Sequence, residues 1–191
     1  MSKEKIRQRE HIIAIIKNPK GGEKRMEVKP KETNIFAIIK DEFGKIKQRV
    51  NTSNIVTNAG DTYYAQLGAE ETPTNVMANC YLGTGSIAAA KTDDYSALTL
   101  IASSSKAPST GYPKSNDTDT DNTGKAVDSV TWKYEWTGAD FNDLAIREGI
   151  ISKAGATGTD PILTRWVWGS AFEKTSTDTL TLYVNHNMLG V

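Results

Sequence analysis

The chain has 191 residues, which allows one domain of ordinary size plus an extension. Residues 1–49 hold 14 Lys and Arg against 7 Asp and Glu, a net charge of +7, and residues 50–191 hold 9 against 16, a net charge of −7. The single cysteine, Cys80, excludes an intrachain disulfide framework and a thiolate metal cluster. The longest apolar run, Ile12–Ile16, is too short for a membrane span, and the charged first residues lack the apolar stretch of a secretion signal. We therefore expect a protein that stays in a cytoplasm until it is assembled into something larger.

A basic N-terminal docking arm is predicted over residues 1–50. It contains two similar segments, IIAIIK at 12–17 and IFAIIK at 35–40, whose β-branched residues favour short strands. Two strands alone do not form a stable domain, so we expect them to pack on the body or on another subunit. A hairpin that covers an edge of its own chain is the alternative. The residues predicted to make assembly contacts are Ile12, Ile13, Ile15, Ile16, Ile35, Phe36, Ile38 and Ile39.

The rest of the chain, residues 51–191, is predicted to be mainly β. Short apolar segments separated by turn-rich spacers indicate an antiparallel β-sandwich, either jelly-roll or immunoglobulin-like. One short helix is predicted to begin at Asp61 or Thr62 and to end at Gly68. Further strands are predicted at 45–50, 77–82, 98–102, 145–152, 162–169 and 179–185.

The strongest strand pattern is VDSVTWKYEWT at residues 127–137. Apolar and polar residues alternate along it, which is typical of a strand with one buried face and one solvated face. The aromatic face should pack in the core, although such a face can also stack sugars. The predicted core residues are Trp132, Tyr134, Trp136, Trp166, Trp168, Leu180 and Leu182, and the predicted solvent-facing residues are Ser129, Thr131, Lys133 and Glu135.

A long hydrophilic segment, residues 103–125, precedes this strand. A connection of this length is usually a binding loop or a mobile segment. Its alternating carboxylates resemble the ligand spacing of a calcium loop, with the candidates Asp117, Asp119, Asp121 and Asp128. The sixth position is Asn122 instead of Gly and no helices flank the run, so a solvated loop is favoured and no metal or cofactor is predicted.

The sequence gives little support for catalysis. The two histidines, His11 and His186, have no metal-ligand spacing, and no nucleophile motif is present. A small hydrolase that uses two carboxylates stays an alternative, but a protein without enzymatic activity is predicted. The formal carboxylate pairs are Glu70 with Glu71, Asp93 with Asp94, and Asp140 with Asp143.

The basic arm favours a protein partner over nucleic acid. Its lysines and arginines are mixed with acidic residues, which weakens contacts along a phosphate backbone. Phe36 and Phe43 are its only aromatic residues, so it lacks a platform for stacking bases.

Four segments, taken in order, carry a resemblance to a known group of proteins. They are NIVTNAG at 54–60, LGTG at 82–85 followed by a loop with Asp93 and Asp94, IREGII at 146–151, and TLTLYV at 179–184. Together they resemble a widespread group of tailed-bacteriophage virion proteins, described as tail, fibre-base or head-appendage components. The resemblance covers roughly residues 51–187 and none of the arm.

The resemblance implies a structural β-sandwich that assembles into a phage particle. It implies other virion proteins of the capsid, neck or tail as partners, a homo-oligomer, and localisation in the virion after assembly in the host cytoplasm. It supplies no catalytic residue. The arm and the long loop depart from the general pattern, so the particular role should reside in them. The alternative function is a carbohydrate- or cell-surface-binding module that uses loop 103–125.

Overall fold

The computed structural model describes residues 12–17 and 23–28 as backbone, and residues 35–123, 125 and 128–188 with their side chains. The chain divides into two compact units, Met1–Glu32 with Gly190–Val191, and Thr33–Leu189, which we call the body.

The N-terminal unit contains a two-stranded antiparallel hairpin. Strand β1 (Ile12–Lys17) pairs with β2 (Glu23–Val28), so that Ile12 lies opposite Val28 and Lys17 lies opposite Glu23. The first Ile-rich segment is therefore a strand, and its partner is the segment that follows it instead of the second Ile-rich segment.

The body consists of two antiparallel sheets that pack against each other, which confirms the predicted β-sandwich. The order of the five-stranded sheet is β4-β3-β11-β8-β7, and the order of the four-stranded sheet is β5-β10-β9-β6. The strands are β3 (Ile35–Lys40), β4 (Ile46–Thr52), β5 (Asn54–Val56), β6 (Asn79–Gly83), β7 (Lys114–Ser115), β8 (Ser129–Trp136), β9 (Asp143–Ser152), β10 (Ile162–Lys174) and β11 (Thr179–Asn187).

The predicted aromatic face of β8 lies in the core. Trp132, Tyr134 and Trp136 are almost fully buried, because β8 pairs with β11 and its aromatic side chains face the other sheet. Truncating one such Trp to Ala costs about 3–5 kcal/mol in typical cores. All of the predicted core partners belong to the same cluster, namely Trp166, Trp168, Leu180 and Leu182.

The second Ile-rich segment belongs to the body and not to the predicted N-terminal arm. It forms β3, which lies between β4 and β11 in the five-stranded sheet. Ile35, Ile38 and Ile39 are at most 1% exposed. The strand is buried because the apolar residues on both of its faces are covered by the rest of the body. Its backbone pairs with a neighbouring strand on each side. The sandwich therefore begins near Thr33 instead of residue 51.

The predicted helix exists but begins earlier than expected. Helix α1 spans Asn58–Gly68, and its N-cap is Thr57, whose side chain accepts a hydrogen bond from the Gly60 amide at 3.0 Å. Asp61 lies in the first turn and is not the cap. No helix within the described residues is long and apolar enough to cross a membrane.

The strand predicted at residues 98–102 is absent from the body. A 3-10 helix, Tyr95–Ala97, precedes it, with Asp94 as its N-cap. The segment retains only one isolated bridge, between Leu100 and Gly83. Leu98 of this segment packs in a small second apolar cluster. The other members of that cluster are Tyr81, Ile150, Ala156 and Ile162.

Candidate functional site

Loop 103–125 connects the edges of the two sheets. Near its start, Lys106 exchanges two backbone hydrogen bonds with Cys80 of β6, both 2.9 Å long. Further on, the Ser109 amide donates to the Lys133 carbonyl of β8 at 2.8 Å. Strand β7 then pairs with the start of β8, where Lys114 lies opposite Thr131. The loop is therefore a packed part of the body.

Asp117 is the buried anchor of this loop. It accepts hydrogen bonds from the Tyr112 hydroxyl at 3.0 Å and from Asn122 Nδ2 at 2.9 Å, and Lys114 Nζ lies 3.1 Å from it. Burial alone would raise the pKa of Asp117, but the hydrogen bonds, led by that from Asn122, outweigh burial and lower the pKa to about 2. Asn122 also exchanges hydrogen bonds with Asn185 of β11, at 2.9 and 3.0 Å.

Asp119 attaches the same loop to the outer face of the five-stranded sheet. It accepts a hydrogen bond from the Tyr183 hydroxyl at 2.7 Å and pairs with Lys133 at 3.1 Å. Burial would raise the pKa of Asp119, but these contacts outweigh it and lower the pKa. This cover explains why Thr131 and Ser129 are buried, contrary to the predicted solvated face of β8, while Glu135 is exposed as predicted.

The four carboxylates considered for calcium do not converge on one point. Asp117 and Asp119 bind different lysines, and Asp121 pairs with Lys40 at 3.1 Å. Asp128 is exposed. Over the residues that the structure describes, no group of three or more His, Cys, Asp or Glu is placed to hold a metal ion. Because Asp117, Asp119 and Asp121 are each paired with a different lysine, they do not supply the shared ligand cage that calcium requires.

A buried ion-pair network lies at the four-stranded sheet. Arg165 Nη2 of β10 lies 2.7 Å from Glu148 Oε2 of β9, and Arg165 Nη1 lies 2.8 Å from Asp93 Oδ2. Glu148 Oε1 accepts hydrogen bonds from the amides of Gly85 at 2.8 Å and Thr99 at 2.7 Å. We call Asp93, Glu148 and Arg165 the Glu148–Arg165 network.

All three nitrogen atoms of the Arg165 guanidinium donate hydrogen bonds in this region. Arg165 also donates to the carbonyls of Ile87 at 3.0 Å and Ala88 at 3.4 Å. Burial alone would lower the pKa of Arg165, but the hydrogen bonds to Glu148 and Asp93 outweigh burial and raise it. The guanidinium therefore keeps its charge in the interior, and removing its carboxylate partner would leave that charge uncompensated.

The glycines of the LGTG turn allow the Glu148 carboxylate to lie close to the backbone of the turn. A Cβ atom on Gly85 would lie 2.2 Å from Glu148 Oε1, and one on Gly83 would lie 2.6 Å from the Thr99 carbonyl oxygen. Gly149, next to Glu148, has the same constraint, because its Cβ atom would lie 2.3 Å from Trp166 Cζ2. A side chain at Gly83 or Gly85 would push Glu148 away from the turn, and one at Gly149 would displace the Trp166 ring.

The helix segment of the resemblance joins the same region. The Thr57 amide donates to the Leu163 carbonyl of β10 at 3.1 Å, and the Asn58 amide donates to the Lys91 carbonyl at 2.8 Å. A Cβ atom on Gly60 would lie 2.1 Å from the Leu163 oxygen. Ile55 of this segment pairs with Arg165 in the register of β5 and β10. Three of the four resemblance segments therefore adjoin the Glu148–Arg165 network, and the fourth forms β11 at the centre of the other sheet.

The remaining titratable candidates occupy structural positions. Cys80 is buried, and burial raises the pKa of its thiol. His186 is also buried, which lowers its pKa to about 3, and its Nδ1 lies 2.5 Å from the Tyr64 hydroxyl. His11 lies outside the described residues.

The carboxylate pairs considered for hydrolysis are divided among separate contacts. Asp93 binds Arg165, whereas its neighbour Asp94 caps the 3-10 helix. Asp140 pairs with Lys106 at 2.6 Å. The other members of these pairs are Asp143, which accepts from the Ala145 amide, and the exposed Glu70 and Glu71.

The predicted assembly residues are divided between the two units. Ile12, Ile13, Ile15 and Ile16 lie in β1 of the N-terminal hairpin, and their assembly role stays a prediction. Ile35, Phe36, Ile38 and Ile39 lie in β3, where three of them are fully buried and Phe36 is half-buried. Burial inside the body leaves those three unable to contact a second molecule.

Sequence reasoning missed Arg165 and its role. The available signal was a single charged residue within an otherwise apolar strand, ILTRWVW at 162–168. A charge at such a position requires a buried partner, but the sequence does not say which carboxylate supplies it. The chain matches no family model, and no curated protein and no solved structure is significantly similar to it.

Proposed function

We propose that this chain is a structural component of a tailed-phage virion, attached to the head, neck or tail as a decoration or appendage protein. The observation that carries the proposal is that three resemblance segments adjoin the Glu148–Arg165 network. Residues that hold one another in this way maintain a rigid scaffold, as a particle component needs.

Attachment through the N-terminal hairpin is the second part of this proposal. A two-stranded hairpin is marginal by itself, so β1 and β2 gain stability when another strand or surface covers them. Strand addition to a neighbour's sheet supplies main-chain hydrogen bonds together with side-chain pockets. Repetition of one such contact around a symmetric particle turns a weak contact into strong attachment.

The body offers an edge that suits strand addition. Strand β4 is seven residues long and forms one edge of the five-stranded sheet. Ile46–Arg49 is exposed at this edge, which includes the basic residues Lys47 and Arg49. The hairpin strand β2 carries Glu23 and Glu27 together with Lys24 and Arg25, so its net charge is zero, and Lys47 of the edge is already paired with Asp178. Main-chain pairing, and not net charge, would therefore hold a hairpin from a neighbouring copy on this edge.

Two truncations test the attachment. Deletion of residues 1–32 removes no described strand of the body, so circular dichroism should still show a folded β protein, whereas particles should no longer contain it. Deletion of residues 1–40 also removes β3 and should abolish folding. The exposed Ile87→Arg variant in the full chain is the control, and it should be incorporated normally.

The two parts of the proposal fail in different ways. If mass spectrometry and antibody labelling of purified particles do not detect the full chain, the virion role is wrong. If the chain lacking residues 1–32 is incorporated at the normal level, the virion role stands and the hairpin is not the attachment element.

A further inference from the structure

A groove lies beside helix α1 in the body. It has a volume of about 280 Å³ and is formed between the helix, the segment that follows it, and the start of β10. Its lining includes Tyr63 and Gln66 of the helix, Thr74 and Asn75 of the segment that follows, and the buried Met77. None of the eight residues that line the groove is charged.

The polar groups in this groove are available to a ligand. Among the described residues, the side chains of Tyr63, Gln66, Thr74 and Asn75 make no hydrogen bond. In loop 103–125, by contrast, Asp117 and its neighbours form their hydrogen bonds with other residues of the body. Two side-chain amides and two hydroxyls therefore offer donors and acceptors with no partner inside the body.

The ring of Tyr63 is held in a fixed position. It is half-buried, packs against the main core, and contacts the Tyr64 ring edge-on at a centroid distance of 5.8 Å. Burial raises the pKa of Tyr63, so its phenol keeps its proton at neutral pH and can donate a hydrogen bond. A rigid aromatic ring beside free amides offers both an apolar surface and directional polar contacts.

We propose that the α1 groove is a binding site for a neutral saccharide. The C–H face of a sugar ring would lie against Tyr63, and its hydroxyl groups would exchange hydrogen bonds with Gln66 and Asn75. An anionic or cationic ligand would lose its hydration here without gaining an opposite charge, so the uncharged lining selects against it. The volume lies just below the range of small-molecule pockets, about 300–1,000 Å³, which limits the ligand to about one sugar ring. The proposal goes beyond the virion role and does not depend on it.

Saturation-transfer difference NMR on the full chain tests this site directly. The probes are maltohexaose, cellohexaose and hexa-N-acetylchitohexaose, with the polyanion polygalacturonate as the charged comparison. At least one neutral probe should show saturation transfer, with an affinity in the millimolar range or tighter, measured by titration calorimetry.

A matched pair of variants assigns the binding to the groove. Gln66→Ala with Asn75→Ala removes two hydrogen-bonding side chains, each worth about five-fold in affinity, and should weaken binding about ten-fold or more. Gln48→Ala with Asn51→Ala removes the same residue types from exposed positions of β4 and should leave the affinity unchanged. Circular dichroism on both variants verifies that they are folded.

Three outcomes would overturn the inference. The first is no saturation transfer from the chain to any neutral probe at about 10 mM, a concentration well above a millimolar dissociation constant. The second is binding that the Gln66 and Asn75 substitutions do not weaken. The third is stronger binding of polygalacturonate than of the neutral probes. Because these experiments use the isolated chain, their failure leaves the virion role intact, and a chain absent from particles can still bind a saccharide.

Discussion

Glu148→Gln is the sharpest perturbation of the body, because it changes one atom and keeps the size of the side chain. Glu148 Oε1 accepts from the amides of Gly85 and Thr99, while Oε2 accepts from Arg165. In a glutamine one of these oxygens becomes an NH₂ group. Whichever way the amide is turned, that donor faces either the two backbone donors or the guanidinium.

The expected cost follows from the burial of the pair. Glu148 is fully buried and Arg165 is 1% exposed, so the variant leaves a buried cation whose only remaining anionic partner among the described residues is Asp93. Loss of one member of a buried pair costs about 3–5 kcal/mol, a large part of a total stability of about 5–15 kcal/mol. For a body of this size, the midpoint of thermal unfolding should fall by about 6–20 °C.

Urea unfolding followed by tryptophan fluorescence measures this loss. Glu71→Gln is the matched control, because Glu71 is exposed and its side chain makes no hydrogen bond with the described residues, and it should change the free energy of unfolding by less than about 0.5 kcal/mol. A loss below about 1 kcal/mol for Glu148→Gln would refute the reasoning, since the network would then be too well hydrated or too adaptable to organise the fold.

Two other substitutions test separate parts of the body. Gly149→Ala should lower the free energy of unfolding by about 1–3 kcal/mol, because its Cβ atom would lie 2.3 Å from Trp166, whereas Gly169→Ala, with no atom within 4 Å of the added Cβ, should have almost no effect. Equal effects in a denaturant titration would contradict this. Asp117 has a pKa of about 2, below its ordinary value of 3.8, so the stability it provides is complete above pH 4 and is lost as the pH falls towards 2. Asp117→Asn should remove about 2 kcal/mol of that acid-dependent stability, so the free energy of unfolding should fall less between pH 5 and pH 2 in the variant than in the unmodified chain. An equal fall in both proteins would show that the loop contacts are not formed in solution.

The elements with strong local patterns could be predicted from the sequence. Strands β8 and β11 alternate apolar and polar residues with a period of two, and their buried faces depend only on that period. Gly83 and Gly85 of the LGTG segment are also local turn signals, because glycine favours turns. Local chemistry also indicated a helix near Tyr63, although the choice of Thr57 as its cap depended on β10 passing next to it.

The tertiary structure decided what lies beside each element. The segments Ile12–Lys17 and Ile35–Lys40 are nearly identical in sequence, yet one forms a hairpin in the N-terminal unit and the other is a buried strand of the body. Local propensity cannot distinguish them, because pairing partners come from distant parts of the chain. The outer face of β8 was predicted to be solvated, and only the long loop, with Asp119 bound to Lys133, buries it. Composition and periodicity determined that this chain is a β-sandwich, while long-range contacts decided which charges are internal and which polar groups, such as Gln66 and Asn75, are left available to a ligand.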